Sequence, residues 1–573
     1  MKYNTLKINS LALNFFILAA ATALVLPGLR AQVSEGGQPI SWTLSAGLRP
    51  EAEKAALEAA RVLLSPPDIA KLLQRDIDEG LQNRFAEALP LELHLQNAGF
   101  WMTLPNGDRL WRLHLIAPGA QSLRPLFEVF HLPPGAKLFA YTPSRSILRG
   151  AFMQKNHLYT GRFAINPLPG DALILEYYEP ASVAGQGNIS LFRLDYGYKA
   201  PSSEEKKPGQ ARFGDAGACN TNINCPLGND WQDEKRGVVK IILTTANGAD
   251  WCTGSLINNT AQDQRPLLLS ANHCLDGFSS SFTDIWGFIF NYEAATCANP
   301  SSEPSQEQSI VGATLLAQYS FSDFALMELS EDVPADFAPY FNGWDRSDNL
   351  PAQTFCIHHP EGDIKKISVD RQPPQRTAYT QGNGSGTSHY RVVWDENTTT
   401  EPASSGSPLF TPAGDIVGQL HGGVASCSNL NGADWYGRVA ISWEGGGSTG
   451  NALKTWLDPL NTGLTRLSGR DFNRNDPPPA PTARLLADAL EIFPNPAQDQ
   501  IWLRQVNPGF ANQELVCILY NLQGQKIGKW VLDTDQLQAP GQAEISLSFL
   551  GRGLYWLQFE TPQENFGLKL MIE

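Results

Sequence analysis

Three serines stand together in ASSGSP, Ala403 to Pro408, among small residues that suit a turn. A serine hydroxyl is a poor nucleophile at neutral pH. It needs a nearby base, and a histidine base needs an anion to hold its tautomer and stabilise the imidazolium. Two other stretches supply those groups: LLLSANHCLDG puts His273 just after an apolar strand pattern, and SFSDFALMEL puts Asp323 at the head of another. Alone, each has an ordinary reading, since a histidine after a strand is usually a satisfied core or surface residue and Asp in Ser-Asp-Phe a turn or cap. Together, in the chain order His273, Asp323, Ser405, they are candidates for nucleophilic catalysis.

The elements that must position them lie in the middle of a 573-residue chain, too long for one hydrophobic core. The composition, 42% hydrophobic, 10% aromatic and 18% charged, is that of globular protein. A net charge of −15 offers no basic face for phosphates, so nucleic acid is not an expected partner. Residues 1–31 carry Lys2 and Lys7 before an apolar run ending at the small residue Ala31, which reads as a signal peptide. No later run is long and apolar enough to cross a bilayer, so no stable membrane span is expected.

Residues 32–212 open with a helical pattern, EAEKAALEAARVLLSPPDIAKLLQRDIDEG, and continue as short strands such as LELHLQNAGFWMTL and DALILEYYEP: a small β-rich domain. The polar stretch Ser202 to Gly217 reads as an exposed, cuttable linker. Residues 213–468 are predicted to be mostly short strands, with one amphipathic helix in NALKTWLDPL. Residues 469–487 are a Pro-rich linker, and the strand patterns of 488–573 suit a β-sandwich. Six cysteines of the middle region, Cys219, Cys225, Cys252, Cys274, Cys297 and Cys427, form an even set in an exported chain, which favours disulfides. Zinc would prefer Cys-x-x-Cys spacing, which is absent; Cys356 and Cys517 are left over as buried thiols. The neighbours His358 and His359 point to opposite faces of an extended chain, so a shared ion is not expected.

The middle region resembles the lysyl endopeptidase branch of the chymotrypsin-like serine proteases. The resemblance is carried by ACNTNINCP, WCTGSLINNT, ANHC, SDFALMEL, FNGWDR, IHHP, TEPASSGSPLF, GQLHGG, ASCSN, DWYGRV and TWLDP, spread from Ala218 to Leu467. It implies a mostly β fold of two six-stranded antiparallel barrels, with a cleft between them. There Ser405 attacks the scissile carbonyl, His273 moves the proton and Asp323 orients His273. It also implies an oxyanion hole from the N–H groups of Ala403 and Ser405, and disulfides Cys219–Cys427, Cys225–Cys297 and Cys252–Cys274. The family has Gly where this chain has Ala403, and Gly permits backbone conformations that Ala resists.

In trypsin-like relatives a carboxylate six residues before the nucleophile reads a basic side chain; here that position is Thr399. The resemblance instead gives that role to Asp434, in GADWYGR, with His421, Gly422 and Tyr379 beside it, Tyr379 standing where the family has Trp. The expected activity is endoproteolysis of proteins and peptides after Lys, without cofactor or metal, by a secreted monomer. A glutamyl or broader specificity is the alternative, because a histidine such as His421 reads carboxylates in that branch. A surface adhesin on an impaired protease scaffold is the competing class.

Residues 32–212 resemble the propeptide of the same proteases, which implies help in folding, a blocked cleft, and removal within 202–218, after Lys206 or Arg212. Residues 488–573 resemble the type IX secretion sorting domain, through IFPNPAQDQIWL, LYNLQGQKI, LGRGLYWLQFE and LKLMIE. That implies passage through the periplasm and outer membrane with the secretion machinery as partner, to the cell surface or beyond.

Overall fold

The structure, a computed structural model, describes residues 34–44, 55, 58–158, 160–199, 215–275, 280–379, 386–472, 490–493, 497–505, 514–521, 525–533, 543–560 and 565–572. The expected signal peptide and most of the cuttable and Pro-rich linkers lie outside them.

The start of the expected helical pattern, residues 51–54, 56 and 57, lies outside the described residues, and the rest of it resolves into different elements. Ile69–Glu79 is a helix, capped by the Asp68 carboxylate on the Lys71 N–H and ended by Gly80 at φ 68°. Upstream, Arg61–Leu63 is instead a strand, parallel to Arg109–Ile116. Pro66 and Pro67 lie between the two, where the proline ring bars a continuous helix. Leu113, Leu115, Leu173 and Leu175 from one sheet meet Leu123, Phe127, Leu191 and Leu194 from a second in one buried core.

The second sheet does not stop at the expected domain boundary. Arg84–His94 pairs on one side with Asn188–Gly197 and on the other with Gly248–Leu256 of the middle domain. One 12-stranded sheet therefore spans both units, five strands from the first and seven from the second. Sequence periodicity marks which residues face a core, but not which strand edge accepts a neighbour.

The middle domain has the mostly β architecture expected, with more and shorter strands than two six-stranded barrels. Its other half is a 10-stranded sheet running Thr221–Asn222, Lys366–Asp370, Thr354–His358, Pro408–Phe410, Asp415–Gly423, Ala433–Arg438, His389–Val393 and Gln375–Thr377, with Gly343–Asp345 and Arg466–Leu467 off this path. Its strands are buried along most of their length, so they read as apolar runs rather than strict alternation. The expected helix near Trp456 is a single turn, Lys454–Leu457, with Pro459 two residues on. The three disulfides form as the resemblance implied, Cys219–Cys427, Cys225–Cys297 and Cys252–Cys274, and Cys356 and Cys517 are buried thiols.

At the carboxyl end, a three-stranded and a four-stranded sheet share a core of Ile501, Leu503, Leu515, Leu557 and Phe559, a small sandwich.

Candidate active site

His273 and Asp323 are brought together by strand register. Leu267–Ala271 pairs antiparallel with Phe324–Leu329, Ala271 opposite Phe324, so the residues just past that end of the ladder are neighbours. The Asn272 N–H donates to the Asp323 carbonyl at 2.8 Å and closes the turn. The Cys252–Cys274 disulfide ties the histidine turn to the adjoining strand. Asp323 adopts a left-handed backbone, φ 57°. Its Oδ1 accepts from the His273 backbone N–H at 2.9 Å and its Oδ2 lies 2.8 Å from His273 Nδ1. One carboxylate thus fixes both the backbone and the ring of the histidine. A ring that donates from Nδ1 carries its basic lone pair on Nε2.

The loop before Pro408–Phe410 separates its three serines. Ser404 Oγ meets His358 Nδ1 at 2.8 Å, and Ser407 Oγ accepts from Cys356 Sγ at 3.2 Å; both serines are fully buried. Ser405 lines the cleft with His273. The loop is fastened by the Thr253 N–H to the Ser405 carbonyl at 2.8 Å and the Gly406 N–H to the Leu420 carbonyl at 2.8 Å. Gly406 is required: at φ 81°, a Cβ there would lie 2.2 Å from Ser270 Oγ. Ala403 is itself left-handed at φ 72°, so the position where the resemblance expects Gly does adopt the conformation Gly favours.

His358 and His359 are engaged separately. His358 Nε2 meets Ser368 Oγ at 3.2 Å, and His359 Nδ1 meets the Asp363 carbonyl at 2.9 Å. Thr399, buried, donates through Oγ1 to the Thr400 carbonyl.

The remaining expected site residues converge on the same cleft: Tyr379, His421, Gly422 and Asp434 line it. Asp434 is 1% exposed, and its Oδ2 accepts from Trp394 Nε1 and Thr400 Oγ1, both at 2.6 Å. Burial raises its pKa, while the Thr400, Trp394 and Ala425 hydrogen bonds pull it back down. Gly423 keeps the approach to Asp434 open, because a Cβ there would sit 2.0 Å from Asp434 Oδ1. The Tyr379 ring stacks on His421 at 3.4 Å, and His421 lies over His273 at 5.5 Å. His421 Nδ1 meets His389 Nε2 at 3.0 Å. Burial, then the nearby His273 and His389, push His421 down to about 2; burial, then Arg438, pushes His389 down to about 4. Both rings are neutral at physiological pH.

Ligand atoms of His273, Asp323 and His421 also lie within 4.8 Å of one another, a grouping that could hold a metal ion; an ion there would compete for the same carboxylate that holds His273. Sequence reasoning missed Trp394, Thr400, Gly423 and His389. It also missed Asn83, whose Oδ1 accepts from the Ala403 N–H at 2.8 Å across 320 residues of sequence. Of these only Gly423, the second glycine of His-Gly-Gly, gave a local signal.

Residues 213–437 match the family described as lysyl endopeptidase, C-terminal domain, and residues 491–573 match the secretion system C-terminal sorting domain. The chain is 29% identical over 346 residues to the lysyl endopeptidase of Pseudomonas aeruginosa, covering 56% of this chain and 70% of that protein. Among solved structures, kallikrein-related peptidase 10 in complex with Zn2+ matches at 15% identity over 36% of this chain and 90% of that one, TM-score 0.23. Dimeric latent PorU from Porphyromonas gingivalis matches at 10% identity over 85% of this chain and 34% of that one, TM-score 0.13. No helix among the described residues is long and apolar enough to cross a membrane. The sorting domain marks the chain for export by the secretion machinery to the cell surface or beyond, and residues 213–437 are similar to the lysyl endopeptidases.

Proposed function

We propose that residues 213–468 are a serine endopeptidase that cuts after Lys. Ser405 Oγ attacks the scissile carbonyl as His273 Nε2 takes its proton. His273 then protonates the leaving amine, and a water, activated by the same ring, hydrolyses the acyl-enzyme. Asp323 holds His273 in the tautomer this needs. The N–H groups of Ala403 and Ser405 receive the developing oxyanion, a contribution of about 3 to 4 kcal/mol per donor in comparable sites. The observation that carries the reading is the double hold of the Asp323 carboxylate on the N–H and Nδ1 of His273, beside a serine left facing the cleft.

Asp434 is the proposed reader of the substrate ammonium. Its burial is costly while unpaired, and an incoming cation relieves that cost, whereas a glutamate side chain would add a second negative charge. The neutral His421 lends no positive charge to a carboxylate-reading pocket. Residues 32–212 are proposed to act as a propeptide lying across the cleft until removed, residues 1–31 as a signal peptide, and 488–573 as the exported sorting unit.

Digestion of a mixed peptide set by the matured enzyme tests this. Cuts are expected almost entirely after Lys, lost in Ser405→Ala and reduced at least about a hundredfold in kcat/KM in Asp434→Asn. Equal cleavage by Ser405→Ala refutes the nucleophile; cuts mainly after Arg or Glu refute Asp434 as the Lys reader.

A further inference from the structure

Two imidazole rings approach one carboxylate oxygen. Asp323 Oδ2 lies 2.8 Å from His273 Nδ1 and 3.8 Å from His421 Nδ1, and Asp323 is 2% exposed. The loop that carries Asp323 is pressed onto the sheet that carries His421. The Ser322 carbonyl accepts from Gln419 Nε2 at 2.7 Å, and Gly437 permits the approach, since a Cβ there would lie 1.7 Å from that carbonyl oxygen. His421 itself falls where the pairing of Asp415–Gly423 with Ala433–Arg438 shifts register, between Leu420 opposite Tyr436 and Gly422 opposite Trp435. A residue in such a bulge is not aimed by the ladder, so its side chain needs another hold.

His389 supplies that hold. It is fully buried on the strand His389–Val393, which lies beyond Ala433–Arg438 from His421, and its Nε2 is 3.0 Å from His421 Nδ1. Its own Nδ1 meets Ser388 Oγ at 2.8 Å. The Tyr379 ring packs against both imidazoles, 3.4 Å from His421 and 5.2 Å from His389 between centroids. Both histidines are neutral, and a hydrogen bond between them leaves two tautomers. If His421 Nδ1 carries the proton, it donates to His389. If His389 Nε2 carries it, His421 Nδ1 presents a lone pair, which a carboxylate does not attract. In either case His421 has no Nδ1 proton to give to Asp323.

We infer that His389 is a positioning residue: by engaging Nδ1 of His421 it keeps that ring off the Asp323 carboxylate, which stays with His273. This rests on the serine-protease reading above. With the pair broken, His421 Nδ1 is left facing Asp323 Oδ2, and closing 3.8 Å to hydrogen-bond length divides the carboxylate between two rings. A histidine base that shares its anion is held less firmly in its tautomer, and its imidazolium is less stabilised. Asp434 and the pocket around it are untouched by that change, so the loss falls on the chemical step.

The test uses enzyme matured from the full chain. In His389→Asn the amide is too short to reach His421, whereas in His389→Gln the amide nitrogen falls near the place of Nε2. His389→Asn is expected to lower kcat on a lysyl peptide about tenfold with KM within about twofold of the parent, and His389→Gln to recover most of that loss. In a His421→Ala background His389→Asn should cost nothing further, because it acts through that ring. The low-field proton signal of His273 Nδ1–H reads the hydrogen bond to Asp323 directly; it is expected to move upfield in His389→Asn and to stay in place in His389→Gln. If the Asn variant does not mature, His389→Leu, which fills the space without a hydrogen bond, carries the same expectations. A parent-like kcat and proton signal, equal losses in the Asn and Gln variants, or an undiminished loss in the His421→Ala background overturns the positioning role. Cleavage by Ser405→Ala at the parent's rate overturns the reading of the site instead, and the proton signal still decides whether His389 governs Asp323.

Discussion

Ala403 carries the sharpest tension at the scale of single residues. It sits at φ 72°, where a side chain costs about 1 to 2 kcal/mol relative to the right-handed region, and its N–H is the one engaged by Asn83. Ala403→Gly is therefore expected to raise the melting temperature of the matured enzyme, with kcat/KM at or above the parent. A lower value of either, in thermal unfolding or peptide hydrolysis, would show that the methyl group has a use. This residue was visible in the sequence because one motif fixed its neighbours, and ASSGSP likewise separated Ser405 from Ser404 and Ser407. Asn83 was not, because a lone Asn in LQNRF has no pattern that points 320 residues ahead.

Among elements, the strand Thr354–His358 shows what buried histidines do to stability. His358 is clasped between Ser404 Oγ and Ser368 Oγ, so it ties that strand to the loop that carries Ser405. Burial, then Lys366, pushes its pKa down to about 3. The unfolded ring takes a proton near the ordinary value of about 6.5. Its contribution to stability is thus fully present above that pH and is lost as pH falls from about 6.5 through about 3. His358→Gln is expected to have a lower melting temperature at neutral pH but a shallower decline on acidification, measured by thermal unfolding across that window. A decline as steep as the parent's would rule out His358 as a cause. The apolar runs made most strands legible, and apolar residues at helical spacing marked the segment that holds the helix Ile69–Glu79. The strand Arg61–Leu63 was hidden because Ala-rich, helix-favouring neighbours precede it and its partner Arg109–Ile116 lies far along the chain. The single turn Lys454–Leu457 was overread for a related reason: apolar spacing says nothing about how soon Pro459 ends it.

For the whole molecule, the 12-stranded sheet that joins the amino-terminal unit to the protease makes the cleft's state depend on a segment far from it in sequence. The full chain is expected to react slowly with a fluorophosphonate, which on the proposed mechanism labels Ser405, and Asn83→Ala to react roughly tenfold faster, because one hydrogen bond to the donor is lost. Labelling rates that match between parent and variant would separate Asn83 from the block. The order of units was legible from linkers and strand patterns, but their interlock was not, since pairing edges leave no compositional trace.

While the covalent link through residues 200–214 is intact, the strand Arg84–His94 meets its partner at an effective concentration on the order of millimolar, whatever the amount of protein present. A single cut turns the same contact into an encounter between two molecules. Thereafter dilution alone favours release, so on the proposed propeptide reading crossing from a confined compartment into open surroundings would itself help to open the cleft.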